Sequence, residues 1–517
     1  MRFLEQSRPA VFLVAAASAV FVIQALAWPL TEGRAGEFEL LYFLDFWNRD
    51  PVFPGLMTKT PVPGLFFGFL LERGGAFGTE LAVGACFVAA VYFVYRSGAI
   101  WSVPIGIAAA GATLLHVSYG GLFHKLDSDG LFAVAFAAWL YYSLKHADEH
   151  SVAVYFVHGL FVALLVMIRP ANEVLVLFAV YPLLAGRQRL RRRLRYAAAF
   201  VAPVALLVGG WLTLNGVRYG EFSFSRFSNA APLYHIMMSG HQIRPEDGPA
   251  SATLAAAVEQ ELLTDEPYRS RGVDVRRFFA ESSFRGWEDL ISLSDLKFGW
   301  NSRYRILRDV AFEFIRRNPG EWLLGVNTTL MHTLIMRSQS PVQGPGDEAR
   351  AVAGEPAREG AAIPHARRIW LATTADGRYE NGRNQDRIAG LLARHDALAK
   401  KTLGLRSGVP AVAEALNVIA NVFAPMILVV ALGAIGLPFL GVGGPTIGPE
   451  RVVALFFGMS LVLLVLTCAL QPATIEYRLP LDPLFFLAAL VSGTAVVRGR
   501  RVLATTASSV HRLIHRR

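Results

Sequence analysis

Residues 8–38 read RPAVFLVAAASAVFVIQALAWPLTEGRAGEF, and the change of character near Thr31 decides the fold. From Pro9 to Trp28 the chain is apolar for about 20 residues, the length needed to cross a bilayer core. Glu32, Arg34 and Glu37 then follow at once. The basic opening MRFLEQSR is not followed by a small-residue cleavage site before Trp28. This first run is therefore expected to stay as an anchor and not to be removed as a signal peptide.

The same alternation recurs outward from this stretch. The chain has 517 residues, 53% of them hydrophobic and only 17% charged, where a soluble chain would carry about a quarter charged residues. Its mean hydropathy is +0.39. Both cysteines, Cys86 and Cys468, lie inside apolar runs, which argues against a disulfide framework or a zinc site. Membrane helices are expected at roughly 9–28, 78–96, 99–117, 130–145, 151–168, 171–186, 196–214, 411–436, 451–470 and 480–497. The reading is a mainly α, polytopic membrane protein with about 10 transmembrane helices, juxtamembrane helices and an α-rich external domain.

Arg2 and Arg8, the RQRLRRRLR run from Arg187 to Arg195, and the Arg-rich tail after the last span orient these helices. Basic clusters stay on the cytoplasmic side, and an even number of spans puts all of them there, with both termini. The formal net charge of +10 thus reads as topology, with RQRLRRRLR also suited to anionic lipid heads, and nucleic acid is not an expected partner. Three parts result: a membrane module over 1–214 with an external loop at 29–77, an external domain over 215–410, and C-terminal helices with a basic tail over 411–517. Within the external part, DVRRFFAESSFRGWEDLISL has helical amphipathic spacing, for the bilayer surface or a domain core. Asn318, Pro319 and Glu321 suit the start of a helix with a capping box. That helix is interrupted by Asn327, Thr328, Thr329 and His332 and reads as interfacial or re-entrant. About 340–366 is rich in Pro, Gly, Ala and charge and reads as a mobile loop.

The external loop holds the first candidate residues. Helical geometry over about 34–48 sets Arg34 and Glu37 on one stripe beside an aromatic face, as on a helix lying flat; a solvated amphipathic helix gives the same pattern. In MTKTPVPGLFFGFLL, Lys59 precedes Pro61 and Pro63, which stiffen the backbone ahead of an apolar helix. A cation held at headgroup height suits a phosphate, although a snorkelling lysine has the same setting. His124, His235, His241 and His332 are expected to be external, and none has metal-ligand spacing.

Taken together, Glu32, Arg34 and Glu37 in TEGRAGEF, Lys59 and Pro61 in TKTPVP, the acidic residue of KLDSDGLFAVAF, the Arg169-Pro170 corner of LLVMIRPAN, and EYRLPLDPLFFLAAL resemble the GT-C superfamily of membrane glycosyltransferases. The nearest subgroup is that of the lipid A aminoarabinose transferases and protein O-mannosyltransferases. The resemblance covers roughly 1–215 and 410–500. The chain departs from the family pattern at Thr31-Glu32, where an Asp or an acidic pair is usual, and at Lys59-Thr60-Pro61, where a double proline is common.

The resemblance implies the GT-C fold, a polyprenyl-phosphate-linked sugar as donor, and transfer with inversion to a hydroxyl of a glycan, lipid or protein acceptor. Such a transfer needs a base for the acceptor proton and cations for the leaving phosphate. Glu32 is then the base and Asp129 the second carboxylate, with Asp127 its close alternative. Lys59 and Arg478 are the phosphate ligands. Arg169 reaches the phosphate or a carboxylate, or is an ordinary helix-end anchor. Arg34, Glu37, Asp127 and Tyr477 are supporting residues. The active site is expected on the external face of a bacterial cytoplasmic membrane.

The DSD at 127–129 has the form that holds a metal in nucleotide-sugar enzymes. Facing outward it is not taken as a metal site; a divalent metal stays an open alternative, and no cofactor is predicted. Two other classes share the same cations. A flippase of lipid-linked sugars would need charges near mid-bilayer, and runs such as FVALLVMI carry none. A ligase or polymerase using lipid-diphosphate donors would draw on Arg226, His241 and Arg244.

Overall fold

In an apolar surround every backbone amide must bond within its own segment, so the long Ala, Val, Leu and Phe runs wind into helices. The computed structural model describes residues 2–27, 31–32, 60–184, 188–219, 222, 224–281, 284–299, 302–335, 415, 448–470 and 477–493. The segment around Arg34, Glu37 and Lys59, the 340–366 stretch and the expected 411–436 span lie outside the described residues, apart from residue 415.

The first bundle helices are α1 (Arg2–Ala27), α2 (Pro61–Ala99) and α3 (Val103–Leu115). After a short α4 (Val117–Gly121) come α5 (Ser128–Lys145) and α6 (Val152–Ile168). A 3-10-wound stretch, Pro170–Leu184, leads to α7 (Leu190–Tyr219). Next come α8 (Ala231–Met238), α9 (Pro249–Ala257), α10 (Val275–Ala280), α11 (Phe284–Phe298) and α12 (Arg305–Arg317). The described helices end with α13 (Pro319–Ile335), α14 (Pro449–Leu470) and α15 (Leu479–Gly493).

Among the described residues, four helical segments are long and apolar enough to cross a membrane: Arg8–Ala25, Phe77–Ala99, Leu190–Val217 and Pro449–Leu470. The expected 99–117 span is instead a pair, Val103–Leu115 and Val117–His124, bent by 67°. The bend falls at His116, whose ψ of 86° takes the chain out of helical geometry. Val152–Ile168, Pro170–Leu183 and Leu479–Gly493 are apolar but shorter. Large apolar side chains face outward without cover, among them Phe12 at 72%, Leu206 at 74% and Val217 at 79% exposed, as lipid-facing surfaces do.

The helices alternate in direction. The start of α2 meets the end of α6 where the Thr60 hydroxyl donates to the Ile168 carbonyl at 2.7 Å. At the other end, Trp101 Nε1 donates to Glu450 at the head of α14 at 2.9 Å. The Tyr196 hydroxyl there reaches the His150 carbonyl at 2.9 Å, early in the Arg-rich helix α7. One end of the bundle is therefore basic, and the candidate residues gather at the opposite one.

Gly159 lets α6 lie directly on α7, since a Cβ at that position would overlap the Phe200 carbonyl oxygen and Pro203. Close helix approach through small residues is a main source of packing energy in a bilayer. Gly159→Val is expected to destabilise the bundle by about 1–3 kcal/mol, the usual cost of overpacking, read as a lower melting temperature in detergent.

A second apolar core runs from Ala230 to Phe314 and includes Trp287, Leu290, Ile291 and Leu293 of α11. The amphipathic segment is therefore two helices, α10 and α11, turned into this core and not onto a bilayer surface. At the head of α13 the Asn318 side-chain amide donates to Asp247 at 3.4 Å.

Within this second core, Glu313 of α12 accepts hydrogen bonds from the Ala250 and Ser251 amides and the Ser251 hydroxyl at 2.8–2.9 Å. It thereby caps the first turn of α9 from a distance. Burial works against its charge, but these donors outweigh that and hold its carboxyl below the ordinary 4.5. A depressed carboxyl contributes stability above its unfolded pKa and loses it as pH falls through the folded one. Glu313→Gln is expected to melt lower at neutral pH. Its deficit against wild type should shrink below about pH 4.5, the ordinary value of that carboxyl. Melting curves of the two proteins across pH check this.

Candidate active site at the end of the bundle

Five segments far apart in sequence meet at this end. Thr31 and Glu32 pair in parallel with Lys125 and Leu126, residue 32 opposite 126. This two-residue ladder ties the backbone after α1 to the turn before α5. Asp127 then caps α5, its carboxylate accepting from the Asp129 amide at 2.8 Å. Asp129, in the first turn, makes an ion pair with Arg169 at 2.7 Å. Arg169 follows the last residue of α6, and Thr60, one residue before α2, is bonded to the carbonyl just before it. The guanidinium of Arg169 also lies over the Tyr477 ring, 4.2 Å from its centre, within cation–π range.

The next residue begins a second buried network. Arg478 Nε donates to Asp482 at 3.1 Å, and Nη1 donates to the Thr333 and Leu334 carbonyls at 3.2 and 2.7 Å. These are among the last carbonyls of α13, where the helix dipole is negative, so Arg478 acts as its C-terminal cap. The other Asp482 oxygen bonds His116 Nε2 at 2.9 Å. Asp129, Arg169, Arg478, Asp482 and His116 are all 9% exposed or less. An ion taken out of water costs several kcal/mol unless it is paired, so each charge here depends on its partner.

The expected site residues fall into three groups. Asp129, Arg169 and Tyr477 touch one another in series, and Arg478 continues the chain of contacts through the backbone. Asp127 is at the same place and serves as a helix cap. Glu32 is placed by its backbone in the ladder, opposite Leu126, which precedes Asp129 by three residues in the chain. Lys59, Arg34 and Glu37 lie outside the described residues.

His116 and Asp482 are the residues that sequence reasoning missed. Asp482 stands four positions after Arg478, a spacing that one helical turn brings together. His116 had no such signal, because the apolar run around it reads as an unbroken span.

Among the described residues, the contacts of the ligase candidates His241 and Arg244 lie elsewhere. His241 packs on Phe314 with ring centres 5.6 Å apart and lies 4.0 Å from Glu321. Arg244 heads the short turn Pro245–Asp247. Arg226 begins a 3-10 turn, Arg226–Asn229.

No family model and no curated protein matches the chain. Among solved structures it is similar to the crystal structure of ArnT from Cupriavidus metallidurans bound to undecaprenyl phosphate. The identity is 14%, with 94% of this chain and 77% of that one covered. The TM-score is 0.32, too loose a superposition to carry any residue of one chain onto the other.

Proposed function

We propose that this chain is a membrane glycosyltransferase of the GT-C type. It moves a single sugar from a polyprenyl-phosphate donor to an acceptor hydroxyl of a cell-envelope glycan, lipid or protein. The reaction takes place on the external face of a bacterial cytoplasmic membrane, with both termini in the cytoplasm and 215–410 forming an external domain. The observation that carries this reading is the meeting of residues 31–32, 60, 127–129, 169 and 477–478 at the bundle end opposite the basic one. Basic ends stay in the cytoplasm, so the gathered residues lie at the external headgroup level, the height at which a polyprenyl tail holds its phosphate.

Glu32 takes the proton of the acceptor hydroxyl as that oxygen attacks the anomeric carbon, and the sugar–phosphate bond breaks with inversion. The phosphate leaves with the bonding electron pair, and developing charge of this kind is met by preorganised cations. Arg169 and Arg478 are each already balanced by an aspartate. The net positive charge for the phosphate therefore comes from Lys59, while the two arginines supply directed N–H donors. Asp129 orients Arg169 and holds a sugar hydroxyl, and no metal is part of this mechanism.

The test is a transfer assay in nanodiscs with a panel of polyprenyl-phosphate sugars, wild type beside Glu32→Gln. Transfer from one donor by wild type alone supports the reading and names the sugar. Inertness toward every donor, with lipid-diphosphate oligosaccharide still bound, would overturn it in favour of the ligase class.

A further inference from the structure

The mechanism above uses Asp482 only as the counter-charge of Arg478, yet it is 2% exposed and both its oxygens are engaged. One takes Arg478 Nε and the other His116 Nε2, from the bend between α3 and α4. The His116–Asp482 contact spans 366 positions, so nothing local in the chain dictates it. With Nε held by Asp482 and both Nη1 hydrogens on the end of α13, three of the five N–H groups of Arg478 are assigned. Nη2 is left as the nitrogen without a partner among the described residues. A guanidinium held along two edges presents its remaining donors in one direction, at little entropic cost to binding phosphate oxygens.

We infer that Asp482, steadied by His116, is a positioning residue that aims Arg478 at the donor phosphate; this rests on the reading of Arg478 as a phosphate ligand. Asp482 touches neither sugar nor phosphate. It acts through Arg478 alone, and His116 acts through Asp482. The backbone step from Arg478 to Tyr477 extends the same order to Arg169, whose guanidinium rests on that ring.

The experiment measures binding of a polyprenyl phosphate and of the matching polyprenol to the full chain in nanodiscs. Asp482→Asn is expected to weaken the phosphate lipid about tenfold, a coupling of ordinary size for a buried pair, and to leave the polyprenol unchanged. Asp482→Glu should recover most of the loss. Arg478→Gln combined with Asp482→Asn should bind no worse than Arg478→Gln alone. If Asp482→Asn does not fold, His116→Phe and His116→Gln carry the same comparison, since glutamine keeps an N–H for Asp482 and phenylalanine does not.

Equal weakening of both lipids would assign Asp482 a structural role only and overturn the inference. A double variant weaker than Arg478→Gln by the full Asp482→Asn factor would overturn it too, because Asp482 would then act independently of Arg478. Wild type that binds both lipids equally would bring down the phosphate reading itself, and this inference with it.

Discussion

Glu32→Gln is expected to slow sugar transfer by about three orders of magnitude, within the usual reach of general-base catalysis, while binding of the donor lipid stays near wild type. The amide keeps the size and polarity of the carboxylate but cannot take a proton. Residue 32 is held through its backbone by the ladder to Leu126, so the substitution leaves its anchoring intact. Single-turnover rates and equilibrium binding, measured side by side, separate the two effects. Turnover at the wild-type rate would remove Glu32 as the base. Loss of binding together with turnover would make it a donor ligand instead.

Asp129→Ala is expected to cost about 3–5 kcal/mol of stability, the range for breaking a buried ion pair from one side. The cost arises because Arg169, 9% exposed, keeps its charge and loses its 2.7 Å partner. The double variant Asp129→Ala/Arg169→Met removes the stranded cation and should recover much of that stability. Transfer should not return with it, because the donors of Arg169 are gone. Thermal unfolding in detergent and the transfer assay together test both statements. An Asp129→Ala protein that melts like wild type would show that the pair contributes nothing to folding.

These two residues also show where reading the chain was enough and where it was not. Glu32 and Asp129 were singled out by the order of motifs in the family resemblance; what the structure adds is that the backbone of the one and the side chain of the other come to the same bundle end. The choice between Asp127 and Asp129 was not legible in the sequence. Both precede or open the same helix, and only the approach of Arg169 to one of them separates a helix cap from an ion pair. Arg478 was singled out by the resemblance of EYRLPLDPLFFLAAL to the family's basic residue and prolines entering a late helix. That it caps the end of α13 and leans on Asp482 depends on a helix 144 positions away.

Helical character, the apolar surface and the charged turns follow from the sequence by itself, because each depends on the composition of one contiguous stretch and its transfer free energy. Tertiary structure alone decided the bend at His116, the turning of α11 into a second core, and the partners of every buried charge at the bundle end. The physical reason is that a desolvated charge is stabilised only by groups within a few ångströms. Which groups come that close is set by how the helices stack.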